Sequence, residues 1–156
     1  MSAGNRIVLG ITGSIAAYKA AEIIRLLTKA GVDVHCILTR SGAEFITPLT
    51  LGTLSGNPVT TEMFADPTGG PYTQWGQGGS PSGEPGGQGV TPAGGIRHIQ
   101  VSRESNLIVV APASGNILGK VAHGIADDSL STAIMASSAP VLFAPAMNTR
   151  MWENPA

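Results

Sequence analysis

The segment LGITGSIAAY, residues 9–18, decides the fold of this chain. It overlaps the apolar, β-branched run Arg6–Ile11, which is typical of a buried parallel strand. After the segment begins, small and apolar residues recur with a helical period that ends at Gly31. A glycine turn that opens a helix presents free backbone N–H groups and a positive dipole end at one place. Residues 10–14 therefore indicate either an ordinary packing turn or a phosphate site, with the Ser14 hydroxyl as a further donor.

The composition describes one globular domain with an apolar exterior. The chain has 156 residues, of which 42% are hydrophobic and only 12% are charged, so it is long enough to bury a core. Because so few charged side chains are available to cover the surface, we expect part of it to be buried in an oligomer. A net charge of −1 and an aromatic content of 4% argue against a nucleic-acid partner.

The single cysteine and the lack of long apolar runs indicate the cellular compartment of the protein. Cys36 is the only cysteine, which excludes an internal disulfide and a cysteine-based zinc site. No apolar run reaches about 18 residues, and the N-terminus lacks the apolar core of a signal peptide. We therefore expect a cytoplasmic protein without a metal site or a membrane partner.

Strand and helix patterns alternate along the chain. The expected strands are residues 6–11, 32–39, 57–64, 106–111 and 140–144. Helices are expected after the glycine turn, from Thr47-Pro48 to about Gly56, and from Asp127 or Asp128 to Ala136. Ser41, with Glu44 three residues later, has the form of a capping box. This alternation predicts an α/β fold, a doubly wound Rossmann-like or flavodoxin-like parallel sheet with helices on both faces.

Residues 66–95 differ in composition from the rest of the chain. The segment is rich in Gly and Pro and has almost no aliphatic residues. Because it cannot bury enough apolar surface to order itself, we expect a disordered surface insertion within a single domain spanning residues 1–156.

Two expected strands end in similar loops, at residues 111–116 and 144–148. In each loop a proline stops the strand and an asparagine follows a few residues later. Either loop alone is explained by the preference of Pro and Asn for turns. The carboxyl ends of parallel strands meet at one edge of a sheet, where open α/β folds bind their ligands. The convergence of these two loops with the glycine turn therefore favours a ligand site.

The residues around this expected crevice favour a phosphorylated mononucleotide. The second strand ends at Thr39, not at the acidic residue that binds a ribose in dinucleotide folds. The Lys-Ser/Thr pair of a nucleotide-hydrolysing loop is absent after Gly13. Flavin mononucleotide (FMN) is the commonest ligand of the remaining type.

The three histidines have different expected roles. His98 precedes the central strand, and an imidazole there has a pKa suited to acid or base catalysis in the crevice. His35 is expected to be a core or edge residue of the second strand. His123 is expected to cap a helix beside Gly124.

Several segments together resemble the homo-oligomeric flavin-containing cysteine decarboxylases. The matching segments are GSIAAYK (13–19), LTRS with Ala43 (38–43), IRHI (96–99), APASGN (111–116), GIADD (124–128) and PAMNTRMW (145–152). They occur in order from end to end, and the last is highly specific. Within the family, the chain is most similar to the enzymes that act on 4′-phosphopantothenoylcysteine (PPC) in coenzyme A synthesis.

The resemblance implies a cofactor, an assembly and a set of site residues. FMN would lie between the subunits of a homotrimer or a multiple of three. The implied cofactor residues are Gly13, Ser14, Ile15, Thr39, Ser41, Phe45, Ser114, Gly115, Asn116, Ile117 and Ala146. The implied catalytic residues are His98 and Asn148, and Asn148 with Met147 would bind the substrate. The implied reaction is FMN-dependent decarboxylation of PPC to 4′-phosphopantetheine, through oxidation of the cysteine side chain.

Two other functions and two departures from the family accompany this interpretation. The alternatives are a peptidyl-cysteine decarboxylase that forms an enethiol and a non-catalytic flavin-binding regulatory subunit. The family has a much shorter segment in place of residues 66–95, and it continues into a substrate flap with a reactive cysteine. Cys36 is not expected to replace that cysteine. We therefore expect a fragment of a longer protein, or else a reduction of the enethiol that is impaired or supplied by another group.

Overall fold

A parallel sheet of four strands forms the centre of the protein. The computed structural model describes residues 5–61 and 102–155. The strands are β1 (Arg6–Ile11), β2 (Asp33–Leu38), β3 (Leu107–Ala113) and β4 (Val141–Pro145). Their spatial order is β2–β1–β3–β4, and all neighbouring pairs are parallel. The predicted doubly wound topology is confirmed, since the chain moves outward from β1 in one direction and then in the other.

Helices cover both faces of the sheet. They are α1 (Lys19–Lys29), α2 (Arg40–Ala43), α3 (Pro48–Ser55), α4 (Gly115–Ala122), α5 (Ser129–Ala136) and α6 (Thr149–Trp152), with a 3₁₀ helix (Ile15–Tyr18) before α1. Leu9 belongs to one core with Ile24 of α1, whereas Val8 belongs to the other core with Leu130 of α5. This separation follows from the alternation of side chains along a strand. No helix in the described ranges is long and apolar enough to cross a membrane.

Gly10 lies inside β1, although the sequence suggested that it begins the phosphate turn. A Cβ on Gly10 would stand 2.5 Å from Cδ1 of Leu130. The glycine therefore allows α5 to pack closely on the sheet, and the turn itself begins after Ile11.

The helix caps agree with the sequence in two cases and differ in one. Thr47 and Asp128 cap α3 and α5 as predicted. The capping box predicted at Ser41 is wrong, because β2 ends at Leu38 and α2 already begins at Arg40. Thr39 caps α2 instead.

Two strand boundaries also differ from the predictions. Pro112 does not stop β3, which continues to Ala113, and the β3–β4 register shifts between Val110 and Ala113. Of the expected strand at 57–64, Thr60 forms an isolated parallel bridge with Ile37, and residues 62–64 lie outside the described part of the chain. The predicted insertion at 66–95 and His98 also lie outside the described residues.

Candidate functional site

Four loops meet at the carboxyl edge of the sheet, one after each strand. They are residues 12–14 after β1, 39–41 after β2, 114–116 after β3 and 146–148 after β4. The predicted cofactor residues lie on these loops or on the first turns that follow them, except Phe45, which lies just after α2. The expected convergence of strand-end loops is therefore present, and it follows from the parallel topology.

Thr12 joins the β1 loop to the β3 loop, a role that the sequence around it does not by itself indicate. Its side chain is only 2% exposed. Its Oγ1 donates to the Pro112 carbonyl at 2.6 Å and accepts from the Ser114 backbone N–H at 2.9 Å. The local clue to this role is a hydroxyl residue placed between a strand and a glycine. The partners of the hydroxyl, however, are about 100 residues away in the sequence.

The β1 and β2 loops are in direct contact at Gly13. A Cβ on Gly13 would stand 2.5 Å from the Ser41 Cβ, so a larger residue would separate the loops. Thr39 adds a second connection, because its backbone N–H and its Oγ1 both donate to the Ile11 carbonyl, at 3.0 and 3.2 Å. The Thr39 hydroxyl also accepts from the Gly42 N–H at 3.2 Å, so it orients the loop and has no proton left for a ligand.

Ser14 and Ser114 occupy similar positions in the loops that follow the adjacent strands β1 and β3. The Ser14 Oγ accepts from the Ala16 N–H, and the Ser114 Oγ accepts from the Ile117 N–H, each at 3.4 Å. Within the described ranges neither hydroxyl donates a hydrogen bond, so each keeps its proton available. The 3₁₀ helix that follows Ser14 and the helix α4 that follows Ser114 both lack an acidic side chain in the first turn, so no carboxylate there would repel an anion.

Backbone donors lie beside these two hydroxyls. Among the described residues, the N–H groups of Ile15, Gly115 and Asn116 have no acceptor, as is usual in the first turn of a helix. The donors from both loops, together with the positive end of the α4 dipole, suit a phosphate group.

The β3 and β4 loops meet around Gly115. The Ala146 N–H donates to the Ala113 carbonyl at 3.0 Å. A Cβ on Gly115 would lie 3.4 Å from Cε of Met151 and 3.7 Å from Sδ of Met147. Beside this contact is an open cavity of about 260 Å³ lined by Pro145, Ala146, Met147 and Trp152. The cavity offers an apolar surface next to the hydroxyl and amide donors.

Asn148 is held in a defined orientation at the start of α6. Its Oδ1 accepts from the Arg150 N–H at 2.9 Å, and its carbonyl accepts from the Met151 N–H at 2.9 Å. Within the described part of the chain its Nδ2 makes no hydrogen bond. The Asn148 amide therefore presents two N–H donors at the edge of the site.

Large apolar side chains are exposed near the strand-end loops. The exposed fractions are 77% for Ile15, 47% for Phe45, 58% for Met151 and 62% for Trp152. This amount of apolar exposure around one edge is typical of a surface that binds a ligand or another chain.

The remaining candidate nucleophile and two histidines have structural roles. Cys36 is 1% exposed, and burial raises the pKa of its thiol to about 12 despite a hydrogen bond from Ser55. His35 lies on edge strand β2, with Nε2 3.0 Å from the Asp33 carboxylate, and His123 follows α4, with Nδ1 2.8 Å from the Gly119 carbonyl. The interpretations of His35 and His123 are confirmed.

Comparison with known proteins identifies the family. The sequence profile of the Flavoprotein family matches residues 1–156. The chain belongs to the Flavoprotein family. It is 37% identical over 156 residues to the coenzyme A biosynthesis bifunctional protein CoaBC of Mycolicibacterium smegmatis, covering 100% of this chain and 31% of that protein. The chain thus spans about a third of the length of such relatives.

Two solved structures are similar over almost the whole chain. The FMN-dependent cysteine decarboxylase TvaF from thioviridamide biosynthesis has a TM-score of 0.74 and 29% identity, covering 96% of this chain and 78% of its own. A PPC decarboxylase mutant complexed with pantothenoylaminoethenethiol has a TM-score of 0.68 and 30% identity, covering 97% and 72%. The resemblance to flavin-containing cysteine decarboxylases is confirmed.

Proposed function

We propose that this chain binds FMN and decarboxylates the cysteine carboxylate of PPC to give 4′-phosphopantetheine, a step of coenzyme A synthesis. The observation that carries the proposal is the position of the Ser14–Ser114 donor pair and the Asn148 amide at one edge of the sheet. The similarity to CoaBC proteins and to a PPC decarboxylase supports PPC as the substrate.

The donor set fits the phosphate and the ring of FMN. The Ser14 and Ser114 hydroxyls and the nearby backbone N–H groups would hold the phosphate. Gly13 keeps the β1 and β2 loops in contact, because a Cβ there would overlap Ser41. The apolar lining near Ala146, together with exposed Phe45, would contact the flavin ring.

Asn148 and His98 would act on the substrate. Removal of CO₂ from an ordinary amino acid leaves an unstabilised carbanion. Bound FMN would supply the two-electron oxidation of the cysteine side chain that provides an electron sink and, once reduced, the two electrons that convert the resulting enethiol to 4′-phosphopantetheine. The Nδ2 group of Asn148 would donate to the substrate carboxylate, and Met147 would contact the substrate beside it. His98, which lies outside the described residues, is proposed to accept the thiol proton.

We also propose a homotrimer, or a multiple of three, with the site at the contact between subunits. The exposed apolar residues Ile15, Phe45, Met151 and Trp152 around the strand-end loops support this assembly, since burial between copies would remove them from water. We expect light scattering of the FMN-loaded protein to give three times the mass of the chain or a multiple of it. A stable FMN-loaded monomer would contradict the assembly. The reducing cytoplasm is the proposed location.

The decisive experiment separates cofactor binding from CO₂ release. Purified protein should carry about one FMN per chain and release CO₂ from PPC. Asn148→Asp should keep FMN but lower CO₂ release at least about tenfold, because a carboxylate would repel the substrate carboxylate and a charge-assisted hydrogen bond would be lost. The matched control is Asn5→Asp, the same chemical change before β1 at the opposite edge of the sheet, which should retain both properties.

Each other outcome favours a different function. Turnover of a peptide with a C-terminal cysteine, without turnover of PPC, would favour the peptidyl-cysteine decarboxylase. Bound FMN without CO₂ release from either substrate would favour a non-catalytic flavin-binding subunit. Absence of bound flavin, even after incubation with FMN, would refute the proposal.

A further inference from the structure

The Thr12 hydroxyl makes the long-range connection at the centre of the site. Its hydrogen bonds span 100 residues to Pro112 and 102 residues to Ser114. The Thr28 hydroxyl, by contrast, bonds locally, since its Oγ1 donates to the Ile24 carbonyl four residues earlier. The role of Thr12 is therefore not that of a local helix or turn cap.

These hydrogen bonds continue the β1–β3 connection beyond the end of the backbone ladder. The last paired residues of β1 and β3 are Gly10 and Val110. Beyond this pair, the Thr12 side chain bonds the backbone of Pro112 near the end of β3 and of Ser114 just after it, in place of another ladder pair. It does so with both its proton and its lone pair, in a site that is almost inaccessible to water.

The same residue also determines where the two serines lie. The Thr12 carbonyl accepts from the Ser14 N–H at 2.9 Å, while its hydroxyl accepts from the Ser114 N–H at 2.9 Å. Each serine is thus anchored through its own backbone N–H to a different oxygen of Thr12. The separation of the Ser14 and Ser114 hydroxyls depends on this single residue.

We propose that Thr12 is a positioning residue that holds Ser14 and Ser114 where both can donate to one phosphate group. This inference rests on the proposed binding of FMN and adds a determinant of selectivity. Thr12 makes the site prefer FMN over riboflavin, the same flavin without its phosphate. It does not contact the ligand, because its hydroxyl is buried and both of its hydrogen bonds go to the backbone.

The test compares FMN with riboflavin on matched variants. Thr12→Val keeps the shape of the side chain but leaves the Pro112 carbonyl and the Ser114 N–H without their partner, whereas Thr12→Ser keeps the hydroxyl. The control, Thr28→Val, removes a hydroxyl from the last turns of α1. The dissociation constant of each flavin is measured from the quenching of its fluorescence on binding to flavin-free protein. All titrations are carried out well below the melting temperature of the variant.

The expected signature is a loss of selectivity for the phosphate. Thr12→Val should raise the Kd for FMN about tenfold and leave the Kd for riboflavin unchanged, because the donors are displaced from the phosphate alone. Thr12→Ser should have the wild-type ratio of the Kd for riboflavin to the Kd for FMN. Thr28→Val should retain this ratio even if its melting temperature falls. If Thr12→Val does not fold, Thr12→Ala, in which water can enter the vacated space, is expected to show the same change in ratio.

Three results would overturn the inference in distinguishable ways. An unchanged FMN Kd in folded Thr12→Val or Thr12→Ala would show that the hydroxyl does not position the donors. An equal rise for both flavins would show general loosening of the site. Binding of neither flavin by the wild-type protein would refute the proposed function and the inference together.

Discussion

Replacement of Gly13 by alanine tests the contact between the β1 and β2 loops. The new Cβ would stand 2.5 Å from the Ser41 Cβ and 3.2 Å from the Ser41 carbonyl carbon and oxygen. A Cβ is attached directly to the backbone, so no rotation about a side-chain bond can relieve this overlap. Since carbon atoms pack at 3.5 to 4.0 Å, the loops must separate by about 1 Å.

The size of the effect follows from the cost of overpacking. Forcing one extra methyl group into a well-packed contact costs about 1–3 kcal/mol. For a domain of this length, each kcal/mol lowers the melting temperature by about 2–4 °C. The displaced loop also carries a proposed flavin residue, and a loss of about 1.4 kcal/mol in binding raises the Kd for FMN about tenfold.

The assay is a flavin titration combined with thermal unfolding. Gly13→Ala should bind FMN about tenfold more weakly and unfold at a lower temperature, and Gly13→Asp, which adds a negative charge near the phosphate, should lose the yellow colour. The matched control is Gly119→Ala in α4, where nothing lies within 4 Å of the new Cβ. It should leave the Kd unchanged and stabilise the protein by up to about 1 kcal/mol, because alanine favours the helix. Wild-type affinity and stability in Gly13→Ala would refute the argument.

Three further variants test interactions outside the proposed site. Asp128→Ala removes the cap of α5 and should lower the free energy of unfolding by about 1 kcal/mol in denaturant titrations, with Asp128→Asn closer to wild type. Although burial would raise the pKa of Asp33, hydrogen bonds from Asn57, Arg6 and His35 lower it below 3.8. The charged carboxylate therefore stabilises the fold above that value, and the greater stability of wild type over Asp33→Asn should be lost as the pH falls through the lowered pKa of Asp33. Cys36→Ala should retain decarboxylation, and native Cys36 should resist iodoacetamide at pH 8 because burial raises its pKa to about 12; rapid labelling would contradict this.

The order of strands and helices along the chain, and which of their faces are buried, were predictable from local sequence patterns. The β-branched run at 6–11, the helical period ending at Gly31 and the caps at Thr47 and Asp128 all appear in the structure. These features depend on neighbours within a few residues, through side-chain alternation, first-turn hydrogen bonds and left-handed glycine conformations. The edge of the sheet that carries the site also follows from the order of parallel strands.

The connections between the strand-end loops depended on the tertiary structure. Gly10 was interpreted as part of the phosphate turn, but close packing of Leu130 places it within β1. The role of Thr12 is not predictable from local sequence, because its partners become neighbours only when β1 and β3 pair. The Thr39 hydroxyl, implied to lie around the flavin, is occupied by the Ile11 carbonyl and the α2 backbone.

The sequence by itself determined the order of the elements, the family and the edge of the sheet at which the site lies. Each of these depends on local residue patterns or on short motifs that occur in order along the chain. Only the tertiary structure decided which hydroxyls are available as donors and which are used to hold the loops together. A hydroxyl on Thr12, Ser14 or Ser114 has the same chemistry in the sequence, and its role depends on whether a backbone group from a distant strand already occupies it.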